Sequence, residues 1–268
     1  MADAKQAVEL LQKDIAQEHQ ATVQYLIHAW LIPSISDEIE GIAREEMRHW
    51  EWLSMAVVAL GGQPTLARDP LVIEPESAEV LLTADAEAER LAIDSYEADM
   101  EQVESPDLQH LFRRIQADER VHRGLFLAML DEVRHSETVV RPADPAPDAE
   151  QLNRVVADEY RAVLAYLYQA FCFPEDEVRH FLIERAVEEM KHLAWAGEHV
   201  VALGGRPDFT LPQLPQWQDG IAMLRWDLEH ERSADAFYGE IIAALRNEQA
   251  RSEMERARSQ ERFHIYEF

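Results

Sequence analysis

Apolar residues recur at three- and four-residue intervals along most of this chain, with polar residues on the opposite faces. Period-two stretches that would mark strands are few. The pattern predicts long amphipathic helices. The first runs from about Ala4 to Ile32 and stops before Pro33, because proline disfavours helical backbone at the residue before it. The second begins at Ser36-Asp37, which can cap it, and ends near Gly61-Gly62. A proline-containing crossover from Gln63 to about Glu76 leads to a third helix, capped by Ser77 and reaching about Glu104. Ser105-Pro106 reads as the cap and first residue of a fourth, extending to about Arg134.

The order then repeats. Pro174 stands where Pro33 did (174 − 33 = 141), and Gly204-Gly205-Arg206-Pro207 where Gly61-Gly62-Gln63-Pro64 did (204 − 61 = 143). Asn247 takes the capping place of Ser105 (247 − 105 = 142). Between the halves, Arg141 to Asp148 is proline-rich and lacks an apolar face, as a linker would. The expected organisation is all-α: a four-helix bundle over 1–135, a linker over 136–148 and a second bundle over 149–268. Each bundle has a long crossover between its second and third helices.

Charge and cysteine content narrow the chemistry. The formal charge of −27 on 268 residues would repel nucleic acid, so no such partner is expected, and it suits a protein that attracts cations. The one cysteine, Cys172, cannot build a disulfide framework, a Cys-x-x-Cys zinc knuckle or a rubredoxin-type iron site. Neither a signal peptide nor a membrane-length apolar run is seen, and the expectation is a cytoplasmic protein without a membrane partner.

Four Glu-x-x-His motifs sit in matching places: Glu46/His49, Glu119/His122, Glu189/His192 and Glu261/His264, offset by 189 − 46 = 143 and 261 − 119 = 142. On a helix, residues i and i+3 share a face, so each pair can offer a carboxylate and an imidazole to one metal. Two further inward carboxylates complete each set. Glu18 shares its face with Leu11, Ile15, Thr22 and Tyr25, and its repeat is Glu159, followed by Tyr166. On the third helix Glu87/Glu229 and Glu89/Glu231 both repeat. Glu89 lies with Leu82, Ala86, Ile93 and Tyr96, whereas Glu87 lies with Thr83, Arg90 and Asp94, so Glu89 and Glu231 are chosen. Four buried carboxylates repel one another and lose hydration, and two divalent cations would offset both costs. Mixed oxygen and nitrogen donors suit iron, with manganese as the alternative. Each histidine should donate its other N–H to an outer acceptor, for which Asp85 and Asp227 are the candidates.

Glu18-His-Gln-Ala-Thr-Val-Gln-Tyr-Leu-Ile-His28, Arg44-Glu-Glu-Met-Arg-His49 and Met223-Leu-Arg-Trp-Asp-Leu-Glu-His-Glu231 resemble the ferritin-like superfamily, most closely bacterioferritin. The resemblance covers nearly the whole chain outside the linker. It implies that Glu46 and Glu119 bridge two irons, with Glu18, His49, Glu89 and His122 as terminal ligands. In the second repeat Glu189 and Glu261 would bridge, with Glu159, His192, Glu231 and His264 terminal. It also implies that Tyr25 and Tyr166 supply an electron or a hydrogen bond. Met47 and Met190 match the methionine that binds haem at a bacterioferritin subunit interface; packing is the preferred reading for both, with haem second.

Departures from the family qualify its implications. Neither repeat carries the short fifth helix that helps ferritins close a shell, so mineral storage is not expected, and a pseudo-dimeric monomer or small homo-oligomer is. With His264 four residues from Phe268, the last ligand helix is expected to fray. The leading function is oxidation of Fe(II) by O2 or H2O2. The alternatives are an O2-activating oxygenase or oxidase acting on an organic substrate, and a non-catalytic iron-binding protein.

Overall fold

A computed structural model describes residues 2–72, 77–133 and 145–268, and every regular element among them is helical. The elements are α1 (Ala2–Leu31), α2 (Ser36–Ala59), α3 (Ala78–Gln102), α4 (Pro106–Val133), α5 (Pro147–Cys172), α6 (Asp176–Ala202), α7 (Gly220–Ala244) and α8 (Glu248–His264). They divide into two compact units, Met1–Val140 and Arg141–Phe268. None of the described helices is long and apolar enough to cross a membrane.

In the first unit α1 packs along α2 and α3 along α4, and contacts of α1 with α3 and α2 with α4 close the bundle. Leu11, Ile15, Ile39, Leu53, Leu82, Phe112, Ile115 and Phe126 are fully buried at its centre. Each such side chain contributes roughly 1.5–3 kcal/mol by leaving water. The start of α2 differs from expectation. A 3-10 turn over Pro33–Ile35 runs straight into it, and Ser36 is its first residue rather than its cap. Ser77 caps α3 by accepting from Val80 N at 3.2 Å. Gly61 ends α2 at φ +77°, a left-handed conformation that favours glycine.

The crossover after α2 is pinned to α1. Gln12 donates to Gln63 O at 2.7 Å and accepts from Thr65 N at 2.7 Å, and Gln24 Oε1 accepts from Val72 N at 3.0 Å. Residues 73–76 of the crossover lie outside the described residues.

The second unit repeats this plan, with Leu152, Val155, Val156, Leu182, Val200, Ile241 and Met254 fully buried. Asn153 ties its crossover to α5 through Arg206 O (2.8 Å) and Asp208 N (2.9 Å). Asp219 caps α7 and Asn247 caps α8. Most of the expected 136–148 linker falls outside the described residues. Its last two residues belong to α5, because Pro147 is preorganised for a first helical turn and Asp148 accepts from Arg246 N (2.8 Å) and Asn247 N (2.7 Å).

Candidate metal centres

In the first unit, α1 presents Glu18, α2 presents Glu46 and His49, α3 presents Glu89, and α4 presents Glu119 and His122. All six are nearly inaccessible to solvent. Ligand atoms of Glu18, Glu46, His49 and Glu119 lie within 4.8 Å of one another, as do those of Glu46, Glu89, Glu119 and His122. Glu46 and Glu119 therefore belong to both groups. The second unit repeats the arrangement. Glu159, Glu189, His192 and Glu261 form one group and Glu189, Glu231, Glu261 and His264 the other, with Glu189 and Glu261 shared. Glu87 and Glu229 are exposed, and Glu87 pairs with Arg90 at 2.7 Å.

Each imidazole turns Nδ1 inward. His49 Nδ1 lies 3.0 Å from Glu119, 3.2 Å from Glu46 and 3.5 Å from Glu18, and His122 Nδ1 lies 2.7 Å from Glu46 and 3.2 Å from Glu119. His192 Nδ1 lies 2.6 Å from Glu261, and His264 Nδ1 3.1 Å from Glu189. Nε2 turns outward in every case: His49 to Asp118 (3.4 Å), His122 to Glu45 (2.9 Å), His192 to Gln260 (3.0 Å) and His264 to Glu188 (2.9 Å). These are the outer acceptors. Asp85 and Asp227 are not: Asp85 takes Gln24 (3.0 Å) and His28 (2.8 Å), and Asp227 takes Gln169 (2.7 Å). They face amide and imidazole groups on α1 and α5, not the ligand histidines on the opposite helices. The sequence did carry a signal for the true partners. Each stands immediately before the glutamate of the Glu-x-x-His motif on the facing helix.

The terminal glutamates are held by tyrosines. Tyr25 on α1 donates to Glu89 on α3 at 2.6 Å, and Tyr96 on α3 donates to Glu18 on α1. Tyr166 to Glu231 and Tyr238 to Glu159 repeat the exchange. Tyr96 and Tyr238 were missed as site residues, although both lie seven residues after a candidate ligand, as Tyr25 and Tyr166 do. Met47 and Met190 are half-buried one position beyond Glu46 and Glu189, about 100° around their helices from those glutamates.

The electrostatics call for cations. Burial, with the Glu119 and Glu46 charges, pushes Glu18 well above the usual carboxylate range, and Glu89 is raised likewise. Glu159 and Glu231 are raised too, first by burial. Burial also opposes ionisation of Glu46, but hydrogen bonds from His122 and His49 outweigh it and hold that carboxyl low. The same balance brings Glu189 down to about 2. The surrounding carboxylates overcome burial to raise His122 to about 11, and His49, His192 and His264 rise as well. Protonated imidazoles thus supply positive charge among the glutamates. They do so incompletely. Among the described residues no aligned hydrogen-bond partner reaches buried Glu46 Oε1, Glu119 Oε1, Glu189 Oε1, Glu231 Oε2 or Glu261 Oε1. Glu46 Oε1 and His122 Nδ1 are close enough to attract but poorly directed. Four carboxylates and two inward Nδ1 atoms around such orphaned oxygens fit metal sites.

A cavity of about 200 Å³ reaches the first centre between α1 and α3. Gln17, Gln20, Ala21, Asp69, Leu91 and Ala92 line it, and it touches Glu18, Tyr25, Glu46, Glu89 and Glu119.

The model of the ferritin-like domain matches residues 8–136 and again residues 149–264. The chain belongs to the ferritin-like family. Among relatives of this ferritin-like chain, a bacterioferritin from Desulfovibrio desulfuricans is 28% identical over 123 residues, covering 43% of this chain and 69% of the relative. A 3-demethoxyubiquinol 3-hydroxylase from Nitrosomonas europaea is 32% identical over 107 residues, covering 35% of this chain. The chain spans 50% of that hydroxylase's length. Among solved structures, a D. desulfuricans bacterioferritin described with its diiron site in different catalytic states matches with 24% identity and a TM-score of 0.48, over 50% of this chain and 84% of that one.

Proposed function

We propose that this chain carries two di-iron centres and oxidises Fe(II) with O2 or H2O2, in iron or oxidative-stress metabolism in the cytoplasm. The observation that carries the reading is the sharing of Glu46 and Glu119, and of Glu189 and Glu261, between two ligand groups. A carboxylate that belongs to two groups would bridge two ions, and Glu18, His49, Glu89 and His122, or Glu159, His192, Glu231 and His264, would hold them as terminal ligands. Two bound irons would supply the electrons that the oxidant takes up; manganese is the alternative metal. The protein's part is to offset the positive charge of the two ions with four carboxylates, to fix each imidazole through its Nε2 partner, and to orient the terminal glutamates through tyrosine hydroxyls. In this reading Tyr25 and Tyr166 would also give up an electron, as the resemblance to bacterioferritin implies. Met47 and Met190 are packing residues in this reading, ahead of haem binding.

The hydroxylase relative favours one competitor, an oxygenase acting on an organic substrate. The cavity of about 200 Å³ at the first centre is roomy enough for Fe(II), O2 or H2O2 and smaller than the roughly 300 Å³ where pockets for organic ligands begin. For assembly, the reading is a single chain or a small oligomer without a mineral core, and a 12- or 24-subunit shell by light scattering would overturn it.

The functional test is anaerobic loading with Fe(II) followed by O2 or H2O2. Repeated turnover of added Fe(II) is expected. Metal held without turnover would identify an iron-binding protein. Glu46→Ala or Glu119→Ala should abolish oxidation at the first centre, whereas Glu87→Ala should leave it unchanged. Equal losses from Glu87→Ala and Glu89→Ala would sink the ligand assignment.

A further inference from the structure

One turn before Glu18, the first bundle buries charges that the second bundle replaces with hydrocarbon. Asp14 on α1 and Asp99 on α3 are each 1% exposed. The Lys13 ammonium lies 2.6 Å from Asp99 Oδ2, 3.0 Å from Ser95 Oγ and 3.3 Å from Asp14 Oδ1. Three oxygens from two helices therefore converge on one cation. The charge balance is poor, since two carboxylates meet a single ammonium. Among the described residues no hydrogen-bond donor aligns on either Asp14 oxygen. An ionised carboxylate in that position loses hydration without full compensation. Burial, reinforced by the Asp99 charge, pushes the Asp14 carboxyl well above its ordinary range.

The fold does not need these charges. In the register of Glu18 and Glu159 (159 − 18 = 141), Asp14 corresponds to Val155 and Lys13 to Arg154. In the register of Glu89 and Glu231 (231 − 89 = 142), Asp99 corresponds to Ile241 and Ser95 to Phe237. Val155 and Ile241 are fully buried in the second core, while Arg154 reaches Glu240 at 2.9 Å and covers the Phe237 ring. Replacing buried ionic groups by packed apolar residues is often neutral or stabilising. Packing therefore gives no reason for two aspartates in this layer.

We propose that Asp14, Asp99 and Ser95 form a third cation site in the first bundle, where a divalent, oxygen-preferring ion such as Fe2+, Mn2+ or Mg2+ displaces the Lys13 ammonium. An all-oxygen donor set suits such ions. A divalent ion neutralises both carboxylates, which one lysine does not. Lys13 can withdraw, because its side chain is 43% exposed on a flexible stem. Asp14 precedes Glu18 by one turn, and Asp99 follows by one turn Tyr96, whose hydroxyl donates to Glu18. An ion here lies one helical turn from Glu18, beside the first metal centre. The cation site does not depend on the proposed iron oxidation.

The test counts Mn2+ ions bound by the metal-free, full-length chain, using equilibrium dialysis and electron paramagnetic resonance. Wild type is expected to bind one ion more than Asp14→Val/Asp99→Ile, which imports the second bundle's own residues. Lys13→Met should bind that extra ion about tenfold more tightly, because a competing positive charge is gone. Glu46→Ala/Glu119→Ala should keep the extra ion while losing those of the first centre, which separates this site from any failure of that centre. Equal counts in wild type and Asp14→Val/Asp99→Ile, or unchanged or weaker binding in Lys13→Met, would overturn the proposal.

Discussion

Each candidate histidine is gripped from outside as well as inside, and the outside grip differs between the bundles. His49 faces the Asp118 carboxylate, whereas His192 faces the neutral amide of Gln260 at the matching position (260 − 118 = 142). A carboxylate acceptor raises imidazole basicity and strengthens its bond to a metal, and loss of such a partner costs about 10- to 100-fold in affinity. The first centre should therefore fill before the second. Asp118→Asn should weaken the first, and Gln260→Glu should strengthen the second. Anomalous scattering from crystals at limiting metal would read the occupancies; equal filling in wild type, or no response to Gln260→Glu, would refute the argument. Motif spacing, helical phase and the repeat singled out twelve residues, and the four clusters are made of the same twelve. None of these signals placed their outer partners, because contacts between facing helices depend on stagger, which no single helix pattern records.

Asp227 adds a pH dependence. Burial pushes its carboxyl from 3.8 up to about 7, against the hydrogen bond from Gln169. The folded chain holds this proton more tightly than the unfolded chain, so the associated stability is fully present below about pH 4 and is lost as pH rises through about 7. Asp227→Asn stays neutral. In the metal-free chain it should match wild type at pH 4 and exceed it above pH 7, by a few kcal/mol at most. Chemical denaturation at the two pH values measures the difference, and a wild type more stable than the variant at pH 8 would contradict the assignment.

At the scale of elements, helix ends show which local signals survive in the folded chain. Ser77 and Asn247 lie before long apolar-periodic runs, and each side chain accepts a backbone N–H three residues on, from Val80 and Ala250. Ser36 carries the same local signal, but the Pro33–Ile35 turn leads directly into α2 and leaves it no capping role. Proline geometry outcompeted the cap. Ser77→Ala and Asn247→Ala should each cost about 1 kcal/mol in denaturant titrations, while Ser36→Ala should stay within about 0.5 kcal/mol. A larger loss at Ser36 than at Ser77 would show that the 3-10 turn does not govern the start of α2. The fraying expected after His264 also meets an opposing contact. The Phe268 ring lies against Tyr166 and Phe181, and Glu267 pairs with Arg185 at 2.8 Å. Those partners lie on α5 and α6, 82 to 102 residues earlier (267 − 185 and 268 − 166), and the end of the sequence alone gives no sign of them.

At the scale of the molecule, the duplication was legible because it recurs in ligands, prolines, glycines and caps together. Each unit has its own buried core and its own pair of ligand groups, and the groups of one share no residue with those of the other. Sites that share no partner are expected to act separately. If the proposed iron oxidation holds, the two ligand sets should behave as independent parts of it. Glu46→Ala/Glu119→Ala should leave the iron oxidation of the second centre, and Glu189→Ala/Glu261→Ala that of the first. The two residual rates should sum to the wild-type rate at saturating Fe(II), and bound iron should fall by the complement of one centre in each variant. Circular dichroism at equal concentration checks that both variants remain folded. A residual sum well below wild type, with iron still bound at the untouched centre, would mean that electrons or ions pass between the bundles and that independence fails.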